Sequence, residues 1–169
     1  LHAAAREAGI VTEVYSPPRV APLAESFGFS QGDSLDLTTV DADGTPWDFD
    51  KAECRQRARD HIRTKKPLLL IGSPMCTWWS CLRGLVKLAI ERSSDPGRYE
   101  RERARALVHL AFAFELYAMQ IEGGRYFAHE HPHGADSWQQ RVVMEFLRKH
   151  DHCLHEVVSH MCRFGMRST

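Results

Sequence analysis

A doubly wound α/β domain, with three αβα layers on a mostly parallel sheet, is the fold class this sequence predicts. Three observations carry that expectation. Short apolar runs alternate with helix-spaced segments from Val11 onward, the order of βαβ units. The run Leu68 to Ile71 puts four consecutive apolar residues between Pro67 and Gly72, the pattern of a central parallel strand covered on both faces. The chemically unusual residues gather where strands end, which is where such sheets bind ligands.

The elements follow in chain order. "VTEVYS" from Val11 is a short strand, and "SPPRV" breaks it with two prolines that cannot continue a ladder. In "RVAPLAESFGF" the residues Val20, Leu23, Ala24 and Phe27 recur at helical spacing, with Gly28 placed as the cap. "DSLDLTTV" alternates Leu35, Leu37 and Thr39 with Asp36 and Thr38 and predicts the second strand; "DADGTPWDFD" is turn chemistry. "DFDKAECRQRARDHIRTKK" reads as a mainly solvated helix, and "PLLLIGSP" as the central strand. The segment from Ser93 to Gly124 is one long helix ending near Glu122 at a Gly pair. "RYFAHEHP" is a strand ended by Pro132, "SWQQRVVMEFLRKH" a helix and "CLHEVVSHM" a last strand.

Bulk composition narrows the function classes. With 169 residues and 43% hydrophobic content the chain fits one domain, residues 1–169. Basic and acidic residues both number 22, so no global positive field draws the protein onto nucleic acid, and any such contact is local. Five scattered cysteines without a CxxC point to reduced thiols and an intracellular setting. The most apolar helix, "ALVHLAFAFELYAMQI", contains His109 and Glu115 and is too short a run to span a membrane. The chain starts on Leu1 and stops abruptly at "CRFGMRST", which reads as a fragment of a longer polypeptide.

The strand ends supply the candidate chemistry. Cys76, in "GSPMCTWWS", sits at the mouth of the central strand. It is either a small buried hydrophobe or a nucleophile activated by backbone N–H groups or a cation. Pro74 stiffens that turn, and Trp78 and Trp79 offer faces for a planar ligand. Glu130, between His129 and His131 at a strand end, requires hydrogen bonds or a tuned pKa if buried, or else forms an ion pair with one of those histidines. Asp36 stands where an acid binds a ribose, although no GxGxxG follows the first strand. A rival scheme uses metal, through His129, His131 and His133 at period two, a geometry Pro132 spoils by ending the strand before His133, or through Cys153, His155, His160 and Cys162, which have no standard zinc spacing.

Taken together, these residues resemble a known family. "IGSPMCTWWS" is similar to the Pro-Cys loop of cytosine-C5 DNA methyltransferases, and "HEHP" falls where that family carries Glu-Asn-Val or Glu-Asn-Pro. "EVYSPPRV" followed by a helix and "LDLTT" sits where the family has its S-adenosylmethionine loop and first acidic strand, and "WDFD" is similar to a further acidic position. "SW", the next helix and "VVSHMCRFGM" resemble a divergent branch in Copia-type retroelement polyproteins of algae and dinoflagellates. The resemblance covers residues 11 to 166. It implies a Rossmann-like methyltransferase fold, S-adenosylmethionine as cofactor, DNA as partner, and a nuclear location within the intracellular setting. Cys76 and Glu130 become the catalytic pair: the thiolate adds to C6 of a flipped-out cytosine while Glu130 holds N3. Ser16, Pro17, Arg19, Asp36, Asp48 and Pro74 become the cofactor-binding residues, with no metal. Pro17, Pro18 and Arg19 replace family glycines, Met75 replaces the proline before the cysteine, and His131 replaces the asparagine. Two functions are therefore expected: an active methyltransferase-like domain, or a non-catalytic nucleic-acid-binding or structural module that keeps the fold. The sequence leaves the oligomeric state open.

Overall fold

The computed structural model describes residues 9–80, 83–91, 95 and 97–160. Its centre is a four-stranded, all-parallel sheet in the order β2-β1-β3-β4, formed by β1 (Ile10–Val14), β2 (Ser30–Leu35), β3 (Leu69–Gly72) and β4 (Tyr126–His129). A 3-10 helix (Ala21–Phe27) connects β1 to β2, and α1 (Ala52–Lys65) connects β2 to β3. Helices α2 (Arg83–Glu91) and α3 (Arg98–Glu122) lead to β4, followed by α4 (Arg141–His150). The chain goes outward from β1 to β2, then crosses back to β3 on the other side of β1. The carboxyl ends of β1 and β3 thus form a topological switch point, the crevice where open α/β sheets bind ligands.

Successive strand residues point to opposite faces, which divides the sheet cleanly. Val14 and Leu70 lie on one face and are fully buried with Phe127 packed beside them. That face carries the core: Ala58 and Ile62 of α1, Leu110, Ala113, Phe114, Leu116 and Tyr117 of α3, and Val143 and Phe146 of α4. Gly72 belongs to the same face because an added Cβ there would lie 1.9 Å from Tyr117 Oη. On the opposite face Glu13 is buried under the 3-10 helix, but Leu69 and Ile71 are only half-buried and Tyr126 is 66% exposed. Among the described residues the second helical layer thus covers β1 and β2 and leaves β3 and β4 open. The structure gives an α/β fold with a parallel sheet and one full helical layer, where the sequence led to an expectation of two.

Several elements differ from their expected form. The segment after Pro18 closes as a 3-10 helix, with Pro22 in its first turn and Gly28 at φ 79° taking the predicted cap. Strand β2 begins three residues before "DSLDLTTV" and stops at Leu35, because Thr39 folds back: its hydroxyl reaches the Ser34 and Asp36 carbonyls, and its N–H donates to the latter. Asp36 is therefore a turn residue and not a strand residue. Helix α1 starts at Ala52, since Trp47 and Phe49 turn inward to the core instead of joining it. Helix α2 lies inside a segment given no element by the sequence reading. The last expected strand does not form over residues 154–160, which carry no regular structure and expose Val157 by 83%; residue 161 onward lies outside the described residues.

Candidate functional site

Parallel pairing brings Val14, Leu35, Gly72 and His129 into lateral register, Val14 with Leu35, Val14 with Gly72, and Gly72 with His129. Every residue that follows a strand thus emerges on one edge, and Ser16, Asp36, the Gly72 to Cys76 loop and Glu130 all lie along it. A cavity of about 230 Å³ opens there. Its wall includes Tyr15 after β1, Asp36 after β2, Ser73 and Met75 after β3, and Asp48 from the turn before α1, with Trp47 and Phe49 providing the apolar surface.

Two of the expected cofactor residues, Asp36 and Asp48, line this cavity. Thr38 donates to Asp36 from both its N–H (3.0 Å) and its hydroxyl (2.6 Å), and both bonds use Oδ1. Asp48 accepts from the Asp50 N–H at 3.2 Å and pairs with Lys51 at 3.3 Å. The other expected residues lie elsewhere. Ser16, Pro17 and Arg19 close onto Glu13, whose Oε2 accepts the N–H groups of Arg19, Val20 and Ala21 at 3.0, 2.9 and 2.8 Å, while Ser16 Oγ lies 3.1 Å from Oε1. An internal carboxylate thus satisfies the N-terminal donors of the 3-10 helix, the orphan groups that otherwise attract an external anion. Pro74 is buried beside the cavity-lining Ser73 and Met75, and its carbonyl is committed to His131.

Sequence reasoning missed the most connected group in the wall. Tyr15 Oη lies 3.1 Å from His109 Nδ1, and His109 Nε2 lies 3.0 Å from Asp50 Oδ1. Arg105 grips the same carboxylate from Nε at 2.6 Å and through a second bond from its terminal nitrogen to Oδ2. A carboxylate only accepts, so His109 carries a proton on Nε2; in the neutral tautomer with that proton Nδ1 accepts and the tyrosine hydroxyl donates. The bond from Arg105 holds the Asp50 carboxyl below the usual range, with help from His109. Burial pushes the Tyr15 phenol well above its ordinary value, so it stays protonated. Tyr15 has φ +60°, a left-handed conformation costly for a side chain of its size. Its ring is wedged edge-on against Phe49 (4.8 Å) and His109 (5.6 Å). The only sequence signal for this group was His109 interrupting an apolar helical run.

The cysteine loop is a separate structure on the same edge. Cys76 is exposed, and its carbonyl accepts the N–H groups of Trp79 and Ser80 at 2.9 and 3.1 Å in a tight turn. Glu130 is exposed too, so the expected burial of its carboxylate is not observed; its N–H donates to the Gly72 carbonyl at 3.0 Å. His131 is buried and bridges the two segments: Nε2–H donates to the Pro74 carbonyl at 2.9 Å, and Nδ1 accepts from Ser137 Oγ at 2.6 Å. The Asp136 N–H adds a bond to the Trp79 carbonyl at 2.8 Å. Burial holds the His131 imidazole below its usual pKa, which favours this neutral arrangement. Both tryptophans are buried, Trp78 edge-on to Tyr99 and Trp79 beneath the Arg103 guanidinium, so neither offers a face to a ligand. His129 points into the core, His131 spends both nitrogens internally, and His133 is exposed 4.0 Å from Glu156, so the three do not converge on a metal. Among the described residues no group of three or more His, Cys, Asp or Glu side chains could hold a metal ion, and no helix is long and apolar enough to cross a membrane. Comparison of the chain with protein-family models, with curated proteins and with solved structures returned no match.

Proposed function

We propose that the chain is a Rossmann-like, methyltransferase-related domain whose edge cavity takes the adenosyl part of S-adenosylmethionine and whose Cys76 and Glu130 act on a cytosine base in DNA. The observation that carries this reading is the cavity at the β1/β3 switch point with Asp36 directly after β2. A carboxylate in that position accepts ribose hydroxyls, and Asp36 Oδ2 takes neither Thr38 bond. The exposed Leu37 and Met75, beside Tyr15 and the buried Trp47 and Phe49, supply apolar surface for a planar ring. At about 230 Å³ the cavity is smaller than the roughly 300–1,000 Å³ of typical ligand pockets, which suits a nucleoside and leaves the amino-acid arm outside.

The bound cofactor would supply an electrophilic methyl group. Cys76 Sγ, exposed on a loop pinned by His131, would add to C6 of the base. Glu130, on the neighbouring strand end, would hold N3 and favour its protonation, which places electron density on C5. C5 would take that methyl group, leaving the demethylated cofactor, and loss of the C5 proton to solvent with expulsion of the thiolate from C6 would then release the product and restore Cys76. The base would be flipped out of its duplex to reach an exposed loop thiol.

A second reading, a non-catalytic nucleic-acid-binding or structural module, is favoured by one specific feature. Glu13 already fills the donor groups that follow β1, where Pro17 and Pro18 also limit close approach. Calorimetry separates the two. S-adenosylmethionine and its demethylated product are expected to bind the wild type, with a loss of at least tenfold in Asp36→Ala. Methyl transfer to cytosine-containing DNA is expected to vanish in Cys76→Ala. No heat and no thermal shift at millimolar cofactor would refute the enzyme reading and leave the module.

A further inference from the structure

Because Asp50 consumes the cavity's cationic donors, we propose that the cavity selects a ligand without phosphate and that Asp50 sets this selectivity. The inference rests on the reading that the cavity takes an adenosyl-type ligand and extends it to the ligand's charge. The charged groups in the wall are the carboxylates of Asp36, Asp48 and Asp50 and the guanidinium of Arg105, with His109 beside them. Arginine is the side chain best suited to phosphate, because its planar fork presents paired donors. Here two of its nitrogens are spent on Asp50, and a third lies 3.4 Å from Glu102.

Asp50 holds His109 as well, and that bond decides the polarity of Tyr15. With Nε2–H on Asp50, the neutral His109 ring accepts the Tyr15 O–H hydrogen bond at Nδ1, which leaves Tyr15 Oη only its lone pairs to offer a ligand. One carboxylate therefore withdraws a guanidinium and an imidazole N–H from ligand binding and converts a phenol into an acceptor. What remains at the polar rim accepts hydrogen bonds and carries negative charge. Hydroxyl and amino groups are matched by such a rim, whereas a phosphate meets the carboxylates of Asp36 and of Asp48, the latter already paired with the exposed Lys51 at 3.3 Å. The left-handed backbone of Tyr15 fits this role, since it is what brings the ring to His109.

The test compares adenosine with adenosine 5′-monophosphate, which differ by the phosphate alone, on the full chain by calorimetry. Wild type is expected to bind adenosine at least tenfold more tightly than the monophosphate. Asp50→Asn keeps the shape and an acceptor for His109 but releases Arg105, and it is expected to bind the monophosphate at least tenfold more tightly than wild type does. Adding Arg105→Leu to that variant should abolish the gain, with near-UV circular dichroism confirming that each variant is folded. Equal affinity of wild type for the two compounds would overturn the proposal, and so would an Asp50→Asn variant with unchanged affinity for the monophosphate. Should wild type bind neither compound, the Asp50→Asn result alone decides in the same two directions. Failure of S-adenosylmethionine to bind while adenosine binds and Asp50→Asn gains the monophosphate would refute the methyltransferase reading and leave this selectivity standing.

Discussion

Protonation of His129 should make this fold acid-sensitive well above the range where carboxylates titrate. The ring is packed against Phe114 (4.8 Å), His131 (4.9 Å) and Trp138 (5.3 Å), with Nδ1 3.0 Å from Tyr117 Oη and Nε2 buried without a partner. Burial, reinforced by the neighbouring His131, lowers its pKa to about 3. In the unfolded chain the same group titrates near 6.5. Between those values the unfolded state binds the extra proton, so the contribution is fully present above about pH 6.5 and is lost as the pH falls toward 3. From pH 7 to pH 5 the loss amounts to about 2 kcal/mol for this one group. Urea unfolding at the two pH values measures it, with His129→Phe as the comparison because an aromatic ring fits the same packing. The wild type should lose about 2 kcal/mol more than the variant over that interval. Whatever slope the variant keeps belongs to groups such as His131 and His150, which burial depresses in the same direction. Identical slopes in the two proteins would refute the buried, neutral assignment of His129.

Three further outcomes are expected. Gly72→Ala drives a methyl group into Tyr117 Oη and should cost about 1–3 kcal/mol in chemical denaturation, since that hydroxyl is buried and anchored on His129; an unchanged midpoint would show that the helix yields freely. Glu13→Gln removes the charge that three N–H groups share and should destabilise by about 1.5–3 kcal/mol, with amide exchange accelerating at residues 19–21 before it does in α3. In the folded protein Cys76 should alkylate much faster than the buried Cys54, and Cys76→Ser should barely move the melting temperature. Peptide-mapped labelling in which Cys76 reacts last would contradict its exposed position.

How far the sequence could be read depended on the range of the interactions. The strand "PLLLIGSP" was legible because a run of four apolar residues between Pro67 and Gly72 has few other solutions, and its central place in the sheet follows from its neighbours. Gly28 was legible as a cap because the left-handed turn is a local demand. Asp36 could be assigned to the strand edge from topology, whereas Asp48 was reached only through the family resemblance. The chain from Tyr15 through His109 and Asp50 to Arg105 could not, since it joins residues 94, 59 and 55 positions apart and each looks ordinary in its own segment. Glu130 was misjudged for the opposite reason: its place at the end of an apolar strand suggested burial, but β4 is an edge strand with one face uncovered. Trp78 and Trp79 were misjudged because a pair of adjacent aromatics suggests one inward and one outward ring, whereas the tight turn after Cys76 tucks both beneath α3.

The bond from His131 to the Pro74 carbonyl fixes more than a loop. Cys76 lies two residues beyond one end of that bond, and Glu130 one residue before the other, so the two groups hang from a single short linkage. Loss of that bond, as in His131→Phe, is therefore expected to free the Cys76 loop from the β4 end without altering either group itself.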